Sequence, residues 1–188
     1  MIRARVLFAL RPLSASSCRR ESLARKLLFA AALLPGLLAA SAAPCLAQRV
    51  VVVVRHADKV DDSDDAALSA RGEEQAERLA HVLKDVRISA VYVTQFQRTK
   101  RTAAPLMKAL GIEPVTYEQK DVDGVVAQIR REHADDAVMV VGHRSTVPMV
   151  LAKLGCTEKV ALESSETDSI FVLTFTPGAG PRLLHLRY

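Results

Sequence analysis

Five consecutive valines, Val50 to Val54, run directly into Arg55 and His56. A continuous β-branched run without polar alternation predicts a strand buried on both faces, the centre of a parallel sheet. Shorter apolar runs recur at Ala90 to Thr94, Glu113 to Tyr117 and Ala137 to Val141, each compatible with a further strand. Between them the apolar positions change to helical spacing. Ala76, Leu79, Ala80 and Leu83 form one stripe, Ala103, Leu106, Met107 and Leu110 a second, and Val122, Val125, Val126 and Ile129 a third. A fourth helix is predicted from about Thr146 to Leu154. Ser69 is placed to cap the first helix, and Gly111 suits the end of the second. Pro105 requires the second helix to start near Thr102 or to bend. Ser169 to Thr176 and Arg182 to Arg187, joined by Pro177-Gly178-Ala179-Gly180, read as a terminal hairpin. The pattern predicts one α/β domain, a three-layer α/β/α sandwich around a mainly parallel sheet with an antiparallel edge.

Upstream of the valine run the pattern is different. A basic stretch precedes an apolar segment from Leu27 to Ala40, and small residues lead to Cys45-Leu46-Ala47. This is the anatomy of a secretory signal peptide, and the apolar segment is short of the roughly 20 residues that span a bilayer. Cleavage after Ala47 has small residues on the required side, whereas cleavage after Ala43 sets Pro44 beside the cut. A twin-arginine signal at Arg19-Arg20, a later start codon and a retained membrane anchor are the other readings of this segment. The organisation expected is therefore a leader over residues 1–47 and a domain over 48–188, exported to the periplasm or secreted.

Charge follows the same division. The chain of 188 residues carries a formal +5. Residues 1–47 hold Arg3, Arg5, Arg11, Arg19, Arg20, Arg25 and Lys26 against Glu21 alone, so the leader carries +6 and the remainder −1. A domain near neutrality gives no electrostatic ground for nucleic-acid binding, and none for membrane attachment once the leader is removed. Cys18 and Cys45 lie in the leader, which leaves Cys156 as a packing residue. Oligomeric state is not encoded in any of these features.

In open α/β sheets, ligands bind beyond the carboxyl ends of the strands. Two predicted strands deliver histidines there, His56 and His143, and Arg55 and Arg98 accompany them. Arginine does not ligate metals and its charge repels cations, so the set points away from a metal centre and towards phosphate. Two guanidinium groups can fork phosphate oxygens. A neutral imidazole can attack phosphorus while a second donates to an equatorial oxygen. No metal or other cofactor is called for.

These residues stand in four motifs: Arg55-His56-Ala57, Leu68-Ser69-Ala70-Arg71-Gly72-Glu73-Glu74-Gln75-Ala76, Arg98-Thr99-Lys100-Arg101-Thr102-Ala103 and Gly142-His143. In this order they resemble the histidine phosphatase superfamily, the phosphoglycerate-mutase-like fold. The resemblance covers essentially all of 48–188, and the run Gly142 to Pro148 resembles the small bacterial members. It implies a phosphatase acting on a small phosphomonoester, or a similar phosphorylated substrate, through a phosphohistidine at His56. Arg55, Arg98 and His143 would hold the phosphoryl group. A phosphoglycerate-type mutase and a non-catalytic phosphate-binding module are the alternatives. Relatives supply the proton for the leaving group from a glutamate after the second arginine or an aspartate directly after the second histidine. Here that second position is Arg144. The candidates left are Glu118, Asp121, Asp123 and Asp58. The aspartate-rich loop Asp58 to Asp65 is expected to be a solvated loop. If it borders the pocket, it disfavours highly anionic substrates.

Overall fold

The computed structural model describes residues 49–188, and the leader expected over 1–47 lies outside them. The chain alternates β1 (Arg49–Arg55), α1 (Ala70–Leu83), β2 (Ile88–Thr94), α2 (Gln97–Leu110), β3 (Pro114–Tyr117), α3 (Val122–Glu132), β4 (Ala137–Gly142) and α4 (Thr146–Lys153). It then closes with β5 (Ser169–Phe175) and β6 (Arg182–Arg187). The six strands lie in the order β3-β2-β4-β1-β5-β6. β1 to β4 are mutually parallel, whereas β5 runs antiparallel to both β1 and β6. This is the expected α/β/α sandwich with an antiparallel edge.

The valine run explains the layering. Successive side chains of a strand point to opposite faces. Val51 and Val53 enter a core with Val125, Ile129, Val150 and Leu151 of α3 and α4. Val52 and Val54 enter a second core with Leu79, Leu83, Ala103 and Leu106 of α1 and α2. Each of these four valines is at most 1% exposed. No position from Val51 to Val54 can therefore be polar, and the first charge comes where the strand ends at Arg55. Cys156 belongs to the first core, as expected of a packing residue.

Of the two forms expected for the second helix, the start near Thr102 is set aside: α2 begins at Gln97 and runs through Pro105. Proline in a helix interior costs about 3 kcal/mol. Here the helix buries Thr99, Thr102, Ala103 and Leu106 on one face, which offsets that cost. Gly111 ends the helix in the left-handed conformation, φ 67°, and its N–H reaches the Met107 carbonyl. The other helices match their apolar stripes. Ser69 caps α1 by accepting from the Gly72 N–H.

Candidate active site

The parallel register of β1 and β4 pairs Arg55 with Gly142, so the next residue of each strand is a histidine. The His56 N–H extends the ladder by donating to the Gly142 carbonyl at 2.9 Å. His56 and His143 consequently sit side by side at the carboxyl end of the sheet, with ring centroids 5.3 Å apart. Both are 5% exposed. Two strand-end residues far apart in sequence are thus brought together by hydrogen-bond register.

Each imidazole is oriented through one nitrogen. His56 Nδ1 lies 2.8 Å from the Ala57 carbonyl. A carbonyl only accepts, so Nδ1 carries the proton and Nε2 presents its lone pair. Nε2 has no partner among the described residues. His143 Nε2 lies 3.0 Å from Thr94 Oγ1, which leaves its Nδ1 without a partner among the described residues. The Phe96 ring stands edge-on to His143 with centroids 5.6 Å apart.

The electrostatics keep both rings neutral. Burial is the main cause holding His56 at a pKa of about 4, and Arg55, Arg98 and Lys59 push in the same direction against the Ala57 carbonyl. Burial also dominates at His143, held at about 3, with His56, Arg98 and Arg55 adding to it. A neutral imidazole is the nucleophilic form.

The two arginines are held differently. Arg55 is 9% exposed, and its Nη1 donates to the carbonyls of Glu163, Ser164 and Glu166 at 3.0, 2.9 and 2.9 Å. Its Nε is buried without a partner among the described residues. Arg55 thus ties the 163–166 loop to the end of β1. Arg98 stacks over the Phe96 ring at 4.3 Å and donates to the Asp64 carbonyl at 2.7 Å. Arg144, directly after His143, is exposed and donates to Ser164 Oγ at 2.7 Å, so it does not replace the missing carboxyl. Ser145 makes no side-chain cap on α4.

A pocket of about 320 Å³ opens beside the nucleophile candidate, lined by Arg55, His56, Asp58, Lys59, Asp61 and Ser164 among others. The aspartate loop therefore borders the site and is more than a solvated connection. Its distal part is tied down as well, since Asp65 accepts from the Gln97 N–H and side chain. Of the proton-donor candidates, Asp58 lines this pocket, where its Oδ2 accepts from Ser69 Oγ at 2.8 Å. Glu118 is exposed after β3 and does not line it. Asp121 is the cap of α3, and Asp123 pairs with Lys153 at 2.5 Å. Among the described residues no group of three or more His, Cys, Asp or Glu is placed to hold a metal ion.

The second motif finds its physical reason here. Gly72 lies so close to Asp58 that a Cβ would sit 2.0 Å from the Asp58 carbonyl oxygen. Gln75, 1% exposed, accepts from the Asp58 N–H and donates to Thr167 Oγ1, both at 2.9 Å. Ser69, Gly72 and Gln75 therefore build the pocket wall that Asp58 belongs to. The residues that sequence reasoning passed over are hydroxyls: Thr94, Thr99, Thr102, Ser164 and Thr167. Thr102 Oγ1 accepts from the Ala57 N–H at 2.9 Å and donates to the Arg98 carbonyl. The spacing of Thr99 and Thr102, three apart beside Arg98, was the available signal, because it puts both on one helix face.

Comparisons with known proteins agree with this geometry. Residues 51–121 match the model of the histidine phosphatase superfamily (branch 1). No curated protein sequence matches the chain. Among solved structures, the protein histidine phosphatase SixA complexed with tungstate superposes with a TM-score of 0.60 at 22% identity, covering 73% of this chain and 96% of that one. A mycobacterial glucosyl-3-phosphoglycerate phosphatase complexed with VO3 gives 0.57 at 17% identity, covering 74% and 98%. A phosphoserine phosphatase mutant from Entamoeba histolytica, complexed with phosphoserine, gives 0.57 at 15% identity, covering 72% and 94%. The matched stretch holds the first three motifs, β4 supplies the fourth, and the fold shared with these structures sets them on one rim: over residues 51–121 the chain matches the histidine phosphatase superfamily.

Proposed function

We propose that the domain over 48–188 is a phosphatase that hydrolyses a small phosphorylated substrate through a phosphohistidine at His56. The observation that carries the reading is the pair of neutral imidazoles 5.3 Å apart, one with Nε2 free, next to a pocket that Arg55 lines. Nε2 of His56 attacks phosphorus, the bond to the leaving oxygen breaks, and a phosphoramidate forms. Arg55, Arg98 and His143 hold the three equatorial oxygens, where fixed donors oppose the developing charge. Asp58 is the proton donor we favour over Glu118, because it shares the pocket with His56. Its carboxyl gives the leaving oxygen a proton and then takes one from the water that cleaves the phosphoramidate.

Hydrolysis is favoured over mutase transfer because residues between Arg98 and His143 are largely spent on α2, β3, α3 and β4, leaving no long insertion to enclose an intermediate. Protein cations supply the electrostatic clamp, so activity is expected without added metal. The oxyanions and phosphoserine bound by the structural relatives suit the same arrangement. The leader over 1–47 we take to be a signal for export, which N-terminal sequencing of the fractionated protein checks, with Gln48 as the expected first residue.

Acid-stable and acid-labile phosphate are distinguished by quenching the full chain after brief exposure to a labelled aryl phosphate. An acid-labile, base-stable label that disappears in His56→Ala is the expected result. Unchanged hydrolysis by His56→Ala would sink the nucleophile assignment, and turnover without any trapped label would do the same.

A further inference from the structure

Behind His143 lies a short chain of buried hydroxyls. Thr94 and Thr99 are both 0% exposed. Thr94 Oγ1 is 3.0 Å from His143 Nε2 and 2.9 Å from Thr99 Oγ1. Thr99 Oγ1 is in turn 2.9 Å from the Phe96 carbonyl and 3.2 Å from the Thr94 carbonyl. Each hydroxyl owns one proton, and the neutral ring owns one more. That count leaves two consistent arrangements. In one, Thr99 donates to a backbone carbonyl, Thr94 donates to Thr99, and the ring donates from Nε2, so Nδ1 is bare. In the other, Thr99 donates to Thr94 and Thr94 donates to Nε2, so the ring proton sits on Nδ1. Any other assignment strands a hydroxyl proton or faces two lone pairs across 2.9 Å.

We propose that Thr94 and Thr99 are positioning residues that hold His143 as the neutral Nδ1–H tautomer when a phosphoryl group occupies the pocket, so that this histidine donates a hydrogen bond without becoming an imidazolium. The inference rests on the functional reading above. A phosphoryl oxygen carries lone pairs only and is served by a proton on Nδ1, the ring nitrogen with no protein partner. Without an anion beside it, burial, His56 and the two arginines limit the ring to one proton and hold its pKa at about 3. A ring that keeps one proton when phosphate binds carries it on Nδ1, and Nε2 accepts. Thr94 is the group that can donate to it, and Thr99 supplies the proton that Thr94 then needs. A valine at 94 would keep the shape and remove both roles. The Phe96 ring, edge-on to His143 and stacked on Arg98, limits rotation of the imidazole out of this arrangement.

The test is nitrogen-15 NMR of the histidine rings in the full chain, with and without saturating inorganic phosphate. The phosphate complex is expected to show His143 as a neutral ring with a protonated Nδ1. Thr94→Val is expected to abolish that signature and lower kcat on an aryl phosphate by about 30-fold with a smaller change in KM, whereas Thr94→Ser restores both. Thr99→Val, which does not touch His143, is expected to shift the tautomer in the same direction and keeps the test open should Thr94→Val fail to fold. A doubly protonated ring, a proton on Nε2, or an identical signature in wild type and the valine variants overturns the tautomer assignment alone. Phosphate that perturbs neither His56 nor His143 overturns this proposal and the functional reading together.

Discussion

The two buried histidines make acid stability the sharpest physical prediction. Both folded pKa values, about 4 for His56 and about 3 for His143, lie below the ordinary 6.5. The native state therefore binds fewer protons than the unfolded chain, and acid favours unfolding. The stability these groups contribute is fully present above pH 6.5 and is lost as pH falls from there towards 4 and 3. Integrating between about pH 8 and 4.5, each histidine costs about 2.5 kcal/mol of unfolding free energy. Together that is about 5 kcal/mol, a large part of the stability of an ordinary domain. Urea unfolding of wild type, His56→Gln and His143→Gln across this range measures it. Each variant lacks one titrating ring, so its loss of stability over the same pH interval is expected to be smaller by about 2.5 kcal/mol. The carboxylates titrate in all three proteins and cancel in the difference. Curves that stay parallel to wild type within about 0.5 kcal/mol, beneath the size of one pKa unit, would refute the claim that burial keeps these rings neutral.

Two further outcomes follow from the polar scaffold. Gln75→Leu fills the same space but strands the Asp58 N–H and Thr167 Oγ1, and about 1–3 kcal/mol per buried group predicts a fall in melting temperature with impaired turnover. Equal melting temperatures in a thermal scan would contradict it. Arg55→Lys keeps the charge but cannot hold three carbonyls of the 163–166 loop and fork a phosphate at once. It is expected to lower kcat/KM on an aryl phosphate by about 100-fold, roughly 3 kcal/mol, and to increase proteolysis at the loop. A variant with wild-type kinetics shows that Arg55 serves the loop alone.

How far the site could be read in advance depended on the kind of interaction. The valine run, the helical stripes, Ser69 and Gly111 were legible because local periodicity and capping chemistry decide them. His56 and His143 were legible because strand ends in a parallel sheet converge, so two residues 87 positions apart by number (143 − 56) could be placed on one rim. The start of α2 was not, since Pro105 reads as a local breaker and only its packing against the core outweighs it. The Asp58 loop reads as a polar connection. Its place in the pocket wall comes from Gly72 and Gln75, which approach it from α1. Among the proton-donor candidates, composition cannot rank carboxylates. The fold does so, by using Asp121 as a cap and Asp123 in an ion pair.

Residue order along this chain was enough to assign the layers, the strand polarity and the meeting of His56 and His143 at the carboxyl end of the sheet, because each follows from alternation and from where an apolar run stops. Which ring nitrogen each histidine offers, what holds Arg55, and which hydroxyls stand behind His143 depend on partners remote in sequence. Ala57 is held by Thr102, and His143 by Thr94. Such contacts are a few ångströms long and directional, so they exist only after β1, β2 and β4 have paired in register and α2 has docked across them.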